Sequence, residues 1–267
     1  MKNKFIAILF ILAFNLNFLK LAVADEFIFE VSNIEIIENG TIYQGKNRGK
    51  IITDNQIELV SNNFEYLKKI NQLEANGNVQ LTDIKNDIII NAEKMFYLKN
   101  EERIYTLGKT LIKVSNKYNI EGYDLTLLRN KMIISSNKKT TVADNFSNFY
   151  KLDKFEYSID KEILKGEKIE VTTNYKKDKS DKYFFETGFF NLKEKKFLAK
   201  DISVKLHKKL YGNIENDPRI NAASGYGDEF NNFYEKGVFT SCKKTDKCPP
   251  WKINAEKIHH NKIKKRV

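Results

Sequence analysis

Proline is nearly absent from this chain: three residues among 267, alongside twelve glycines, two cysteines, three histidines and one tryptophan. Such scarcity of proline and glycine excludes a Pro/Gly-rich linker protein. After residue 24 no segment approaches the ~20 apolar residues of a spanning helix. No GxSxG elbow, phosphate loop or HExxH motif occurs. A zinc site built on Cys242 and Cys248 would need two more ligands. The nearest histidines, His259 and His260, are adjacent to each other rather than spaced for one metal. They fall in a predicted strand, where neighbouring side chains face opposite ways, so they form no acid–base pair and are read as solvated or turn-flanking. His207 has no evident partner, and Glu101-Glu102 reads as a solvated turn. Catalytic residues, bound metals and cofactors are therefore not expected, and the chain does not read as an enzyme.

What is present begins with an export signal over residues 1–24. Lys2 and Lys4 precede an apolar run from Phe5 to Phe14, and Ala22-Val23-Ala24 gives small residues before Asp25. That pattern predicts cleavage between Ala24 and Asp25. Removing this segment drops three lysines and no acid, so the net charge falls from +11 to +8. The lysines are scattered and no aromatic-basic module appears, so nucleic acid is not an expected partner. In an oxidising compartment Cys242 and Cys248 are expected to form disulfides. A local bridge and pairing with cysteines outside this chain are both open.

The body of the sequence is periodic. Gly77, Gly108, Asn137, Gly166 and Lys200 anchor five similar strand–turn–strand units spaced 31, 29, 29 and 34 residues apart. A period near 30 built from strand pairs predicts a stacked β architecture. Within it Leu73, Ala75, Val79 and Leu81 share a face, with Glu74, Asn76, Asn78 and Gln80 opposite. The same alternation recurs at Ile88/Ile90/Ala92, Ile112/Val114, Phe155/Tyr157/Ile159, Ile169/Val171 and Ile202/Val204/Leu206. An all-β fold follows, an antiparallel β-jellyroll or slotted sandwich over residues 25–211, opened by one leading strand from Phe27 to Ile37. Residues 212–236, rich in Gly, Asn and Asp, read as a long loop. Residues 237–267 form a cysteine-containing segment that returns to strand-like sequence around Trp251.

One apolar face on so many strands has two uses. It closes into a core, or it lines a trough that takes acyl chains, each buried CH₂ contributing roughly 0.8 kcal/mol. The candidate trough residues are Val79, Leu81, Ile88, Ile90, Ile112, Val114, Phe155, Tyr157, Ile169 and Val171.

Two stretches resemble a known family. LEANGNVQLTD followed by IIINAEKMFYLKN is similar to the repeat of periplasmic lipopolysaccharide-transport proteins, with Ala75, Gly77, Val79 and Leu81 in its first half and Ile90, Ala92 and Tyr97 in its second. The stretch GVFTSCKKTDKCPPWKINAEKIHH resembles the segment before the outer-membrane barrel in the lipopolysaccharide-assembly (LptD, organic-solvent-tolerance) family. Phe239, Thr240, Cys242, Pro249, Pro250, Trp251, Ile253, Ala255, Ile258 and His260 occupy the matching places, and Arg219, Asn221 and Ala222 fit before them.

The resemblance implies a periplasmic domain at the outer membrane of a Gram-negative bacterium, holding lipid A acyl chains in its slot, with rim lysines near the phosphates. It implies strand addition of a periplasmic bridge protein at the N-terminal edge, and an outer-membrane lipoprotein partner only where a barrel is present. That family's barrel has no counterpart in these 267 residues. In the family such cysteines can pair with barrel cysteines. The alternatives are a stand-alone bridge protein of the same pathway and an exported β-repeat scaffold or adhesion protein with a closed core.

Overall fold

The computed structural model describes residues 27–267 except residues 176, 178, 244 and 246–249. The expected signal segment, its cleavage point at Ala24 and Asp25, and Cys248 with Pro249 lie outside the described residues. The fold is all-β: among the described residues 65% lie in strands and no helix reaches seven residues. Twenty strands pair, every pairing antiparallel. The first six are short: β1 (Phe27–Glu30), β2 (Asn33–Ile37), β3 (Ile42–Lys46), β4 (Gly49–Thr53), β5 (Ile57–Ser61) and β6 (Asn63–Leu67). Three long ones follow, β7 (Gln72–Asp83), β8 (Ile88–Leu98) and β9 (Arg103–Val114). Next come β10 (Tyr118–Tyr123), β11 (Thr126–Leu128), β12 (Ile133–Ser136) and β13 (Thr140–Asp144). The array ends on β14 (Phe149–Ser158), β15 (Ile163–Thr172), β16 (Lys182–Asn191), β17 (Lys196–Lys205), β18 (Arg219–Gly227), β19 (Asn231–Thr240) and β20 (Ile253–Asn261).

Each long strand bends near its middle, and the bend creates the sandwich. In β7, Gly77 and Asn78 have φ of 78° and 47°, and the ladder with β8 slips between Asn76 and Val79. Residues before the bend pair with β6, and residues after it pair with β5. Gly108 does the same in β9, as do Lys154, Lys168, Asp201 and Lys236 in β14, β15, β17 and β19, all at positive φ. A bulge of this kind adds a residue and turns the strand, which lets one strand serve two sheets. Elsewhere the break is complete: β10 and β11 flank Asp124, and β12 and β13 flank Asn137. The result is a front sheet beginning β2–β3–β6–β7 and a back sheet beginning β1–β4–β5–β7. Midway the pairing closes into a ring through β9, β10, β13, β14, β12 and β11.

Gly77, Gly108, Gly166 and Lys200 thus mark mid-strand bends rather than the hairpin turns expected from the sequence; of the five anchors only Asn137 lies between strands. The hairpin turns fall elsewhere, as at Lys99–Glu101 and Arg129–Lys131. Residues tolerant of positive φ serve turns and bulges alike, so composition does not separate the two.

Two further expectations are corrected. The single leading strand breaks at Val31-Ser32 into β1 on the back sheet and β2 on the front sheet. Residues 212–236 contain β18 and the start of β19 instead of a long loop. Their alternation is hidden because Gly225 and Gly227 hold interior positions. A Cβ there would lie 2.7 Å from the Phe233 carbonyl oxygen and 2.4 Å from Asn232 Oδ1, respectively.

One contiguous apolar core fills the space between the sheets. Rings from opposite sheets meet along it: Phe27 against Tyr66 at 4.6 Å, Tyr118 against Tyr157 at 5.4 Å, and Phe185 against Phe190 at 5.5 Å. Burying each such side chain contributes about 1.5–3 kcal/mol.

Candidate functional site

The ten candidate trough residues all point between the sheets. Val79, Leu81, Ile88, Ile90, Ile112, Val114, Ile169 and Val171 belong to the back sheet; Phe155 and Tyr157 belong to the front. Leu81, Ile90, Ile112 and Ile120 form a row of direct cross-strand partners. Every one of the ten is between 0 and 6% exposed. The interior is therefore filled by the chain's own side chains at these positions. A ligand reaches them only where the sheets part.

The apolar interior emerges at both ends of the array. At the start, Ile34 and Ile36 of β2 stand opposite Gly45 and Tyr43, on the interior face, and both are exposed. The outer edges of β1 and β2 pair with no further strand among the described residues. At the finish, Ile253 stands opposite Phe239 on the interior face of β20 and is exposed, beside the Trp251 ring, 5.8 Å from that of Phe239. Among the described residues the column of buried side chains thus runs between two strand edges that pair with no further strand, apart from the single bridge of Asn261 to Arg266 in β20.

Along its length the sandwich has one bent edge and one seam, where hairpin turns of the two sheets meet. The seam is polar. Lys99 of a front turn reaches Asp54 of a back turn at 2.8 Å. Arg129, from the next front turn, donates through Nε to Asp83 Oδ2 at 2.7 Å, and also pairs with Glu102. Asn55 Nδ2 donates to Glu102 Oε1 at 2.8 Å, as does the Tyr97 hydroxyl at 3.1 Å. Further on, Lys117 and Tyr118 of the back sheet both donate to Glu162 of a front turn, each at 2.8 Å.

Burial opposes the charge on Arg129, but the Asp83 carboxylate bonded to it outweighs that cost and holds the guanidinium above its usual range. Burial pushes the Tyr97 and Tyr118 phenols up, helped by Glu102 and Glu162. Glu162 is partly desolvated, yet bonds from Lys117 and Tyr118 hold it below the ordinary carboxylate range. None of the seam residues entered the sequence reading as a site. The signal was parity: Asp83 continues the Val79–Leu81 face and so had to be a buried acid in need of a partner.

The histidines divide as strand geometry requires. His259 lies outside, its ring stacked on Phe233 at 4.5 Å, while His260 points inward at 1% exposure. His260 is therefore buried rather than solvated, and both its ring nitrogens lack hydrogen-bond partners. His207 Nδ1 does have a partner, Asp181 Oδ1 at 2.8 Å. Arg219 Nη1 donates to the Cys242 carbonyl at 2.6 Å, and the Cys242 thiol lies 3.5 Å from the Trp251 carbonyl. With Cys248 undescribed, the cysteine pairing lies outside the structure. Among the described residues no three of His, Cys, Asp and Glu converge as metal ligands, and no helix is long and apolar enough to cross a membrane. No protein-family model matches this chain, and the search of curated proteins gives no match either.

Proposed function

We propose that this chain is a lipopolysaccharide-handling module that receives lipid A acyl chains between its sheets and passes them along the array. The observation that carries this reading is the apolar interior running between those two strand edges, with interior-face Ile34 and Ile36 exposed at one end and Ile253 at the other. A bridge protein adds its strands at β1 and β2, one edge on each sheet, so that its interior continues into this one. An acyl chain of about twelve carbons buried there contributes on the order of 8–10 kcal/mol without a polar contact. No bond is made or broken. The place of action is the periplasm and the periplasmic face of the outer membrane.

A second reading rests on the tight closure of the ten interior residues: an exported scaffold or adhesion protein with a permanent core. Photo-crosslinkers at Ile34, Ile36 and Ile253 separate the two, since these sites report on the interior without disturbing buried packing. Crosslinks to lipopolysaccharide, in a preparation with active transport partners, are expected. A folded protein that yields none at all three positions is the scaffold.

A further inference from the structure

The outer face of the front sheet changes character along the array. One row of direct cross-strand partners begins at Glu35, Gln44, Glu65 and Glu74, a polar and acidic stretch. The same face ends on Lys165, Phe189, Leu198, Tyr226, Phe233 and His259, again each paired directly with the next across β15 to β20. Phe189, Leu198 and Tyr226 are between 50 and 59% exposed. Tyr226 stacks on Phe233 at 5.1 Å, and Lys165 Nζ stands 5.6 Å from the centre of the Phe189 ring. Five strand spacings give the row a length of about 24 Å.

Its neighbours limit its width to one side chain. On one flank lie Thr187, Lys200, Ser224, Glu235 and Lys257; on the other, Asn191, Lys196, Asn231 and Asn261. Two hydrophobic turn tips border the row where these strands end. Phe230 is exposed between β18 and β19, and Ile263 is exposed just after β20. The two turns are tied together by the Lys262 N–H, which donates to the Phe230 carbonyl at 2.9 Å.

Charge names the occupant. Lys200 and Lys257 adjoin the row, and Lys264, Lys265 and Arg266 follow Ile263. The acids nearby are largely engaged: Glu229 with Lys195, Glu194 with Lys196, Glu156 with Lys165. A half-exposed aromatic side chain offers about 100 Å², so one row falls short of the ~800 Å² per partner of a stable protein interface. Aromatic and aliphatic side chains in a narrow line, two apolar turn tips and a surplus of lysine suit shallow insertion at a charged lipid headgroup layer.

We infer that the outer face of β15–β20 docks on the surface of an anionic lipid bilayer, laying Phe189, Leu198, Tyr226 and the Phe230 and Ile263 turn tips into the headgroup region. This surface lies outside the sandwich and is independent of what the interior carries. The acidic start of the same row makes the docking specific to one end.

Vesicle flotation tests it, with the full chain and phosphatidylcholine vesicles containing or lacking phosphatidylglycerol. The protein is expected to float with the anionic vesicles, more weakly at high salt, and not with phosphatidylcholine alone. Leu198→Ser with Tyr226→Ser, both exposed and tolerant of polarity, should weaken binding about tenfold or more. Leu107→Ser with Tyr123→Ser, both exposed and on β9 and β10 away from the row, should leave it unchanged. Absence of flotation overturns the inference, as does flotation that survives the Leu198/Tyr226 pair or is lost equally with the Leu107/Tyr123 pair. A lipid-independent dimer that the Leu198/Tyr226 pair abolishes overturns it in favour of a second copy of this chain.

Discussion

Arg129 Nε and Asp83 Oδ2 lie 2.7 Å apart across the seam, joining a front-sheet turn to the end of a back-sheet strand. Both side chains are buried. Replacing Arg129 with Met leaves the Asp83 carboxylate buried without a counter-charge, held only by the Asn86 backbone N–H and Nδ2 that donate to it. The expected loss is about 3–5 kcal/mol in urea unfolding. Arg129→Met combined with Asp83→Leu should recover most of it, because the pair rather than either charge is what the seam tolerates. A double variant no more stable than Arg129→Met alone would show that Asp83 finds another partner.

His260 sets a pH dependence. Burial pushes its pKa down from 6.5 to about 4, with Lys262 and His259 adding to the effect and Asp181 opposing it. The unfolded chain therefore binds a proton that the folded chain refuses between those values. Stability is full above about pH 6.5 and falls as pH drops towards 4, by on the order of 3 kcal/mol. Thermal unfolding across that window should show the decline. His260→Phe keeps a ring without the two unpartnered nitrogens and should flatten the profile.

Gly77 carries the first long bend at φ of 78°, and a Cβ there would lie 2.8 Å from Asn62 Nδ2. Gly77→Ala is expected to cost about 1–3 kcal/mol, through conformation first and crowding second. The comparison is Gly108→Ala, at φ of 84° with open space around it. Its cost should be the smaller, since only the conformational part remains. Denaturation midpoints of the two variants measured together decide the order.

The exposed interior-face pair at the N-terminal edge separates function from fold. Ile34→Lys with Ile36→Lys should change stability by no more than about 0.5 kcal/mol, because both side chains already face solvent. If the edge receives a bridge protein and its cargo, the same pair should abolish lipopolysaccharide acceptance in a reconstituted transfer assay. Unchanged transfer in the double variant would remove the edge from the proposed path.

The alternation of Leu73, Ala75, Val79 and Leu81 against Glu74, Asn76 and Gln80 was enough to establish strands, faces and an all-β sandwich. Two things were hidden from it. Gly77 and Asn78 sit within that pattern without disturbing its parity, so one bent strand reads as two strands and a turn. In β18 three of the four interior places are held by Ala222, Gly225 and Gly227, which have too little side chain to register as apolar, and only Ile220 does. The ten interior candidates were legible as one face; how tightly the opposite sheet covers them depends on contacts between residues far apart in sequence. The outer row was invisible for the same reason. Phe189 stands beside Phe190 in the chain, and only the fold sends one outward and the other into the core.

Because every pass across the array crosses from one sheet to the other, the sandwich has the character of a ruler. The front-sheet row from Glu35 to His259 crosses fifteen strands, a reach of about 65–70 Å before twist at 4.7–4.9 Å per step. Excising one out-and-back pair of passes would shorten that reach by about 10 Å while leaving the remaining faces in phase. The span between the two open ends is thus adjustable only in whole hairpins, by duplication or loss of about thirty residues at a time.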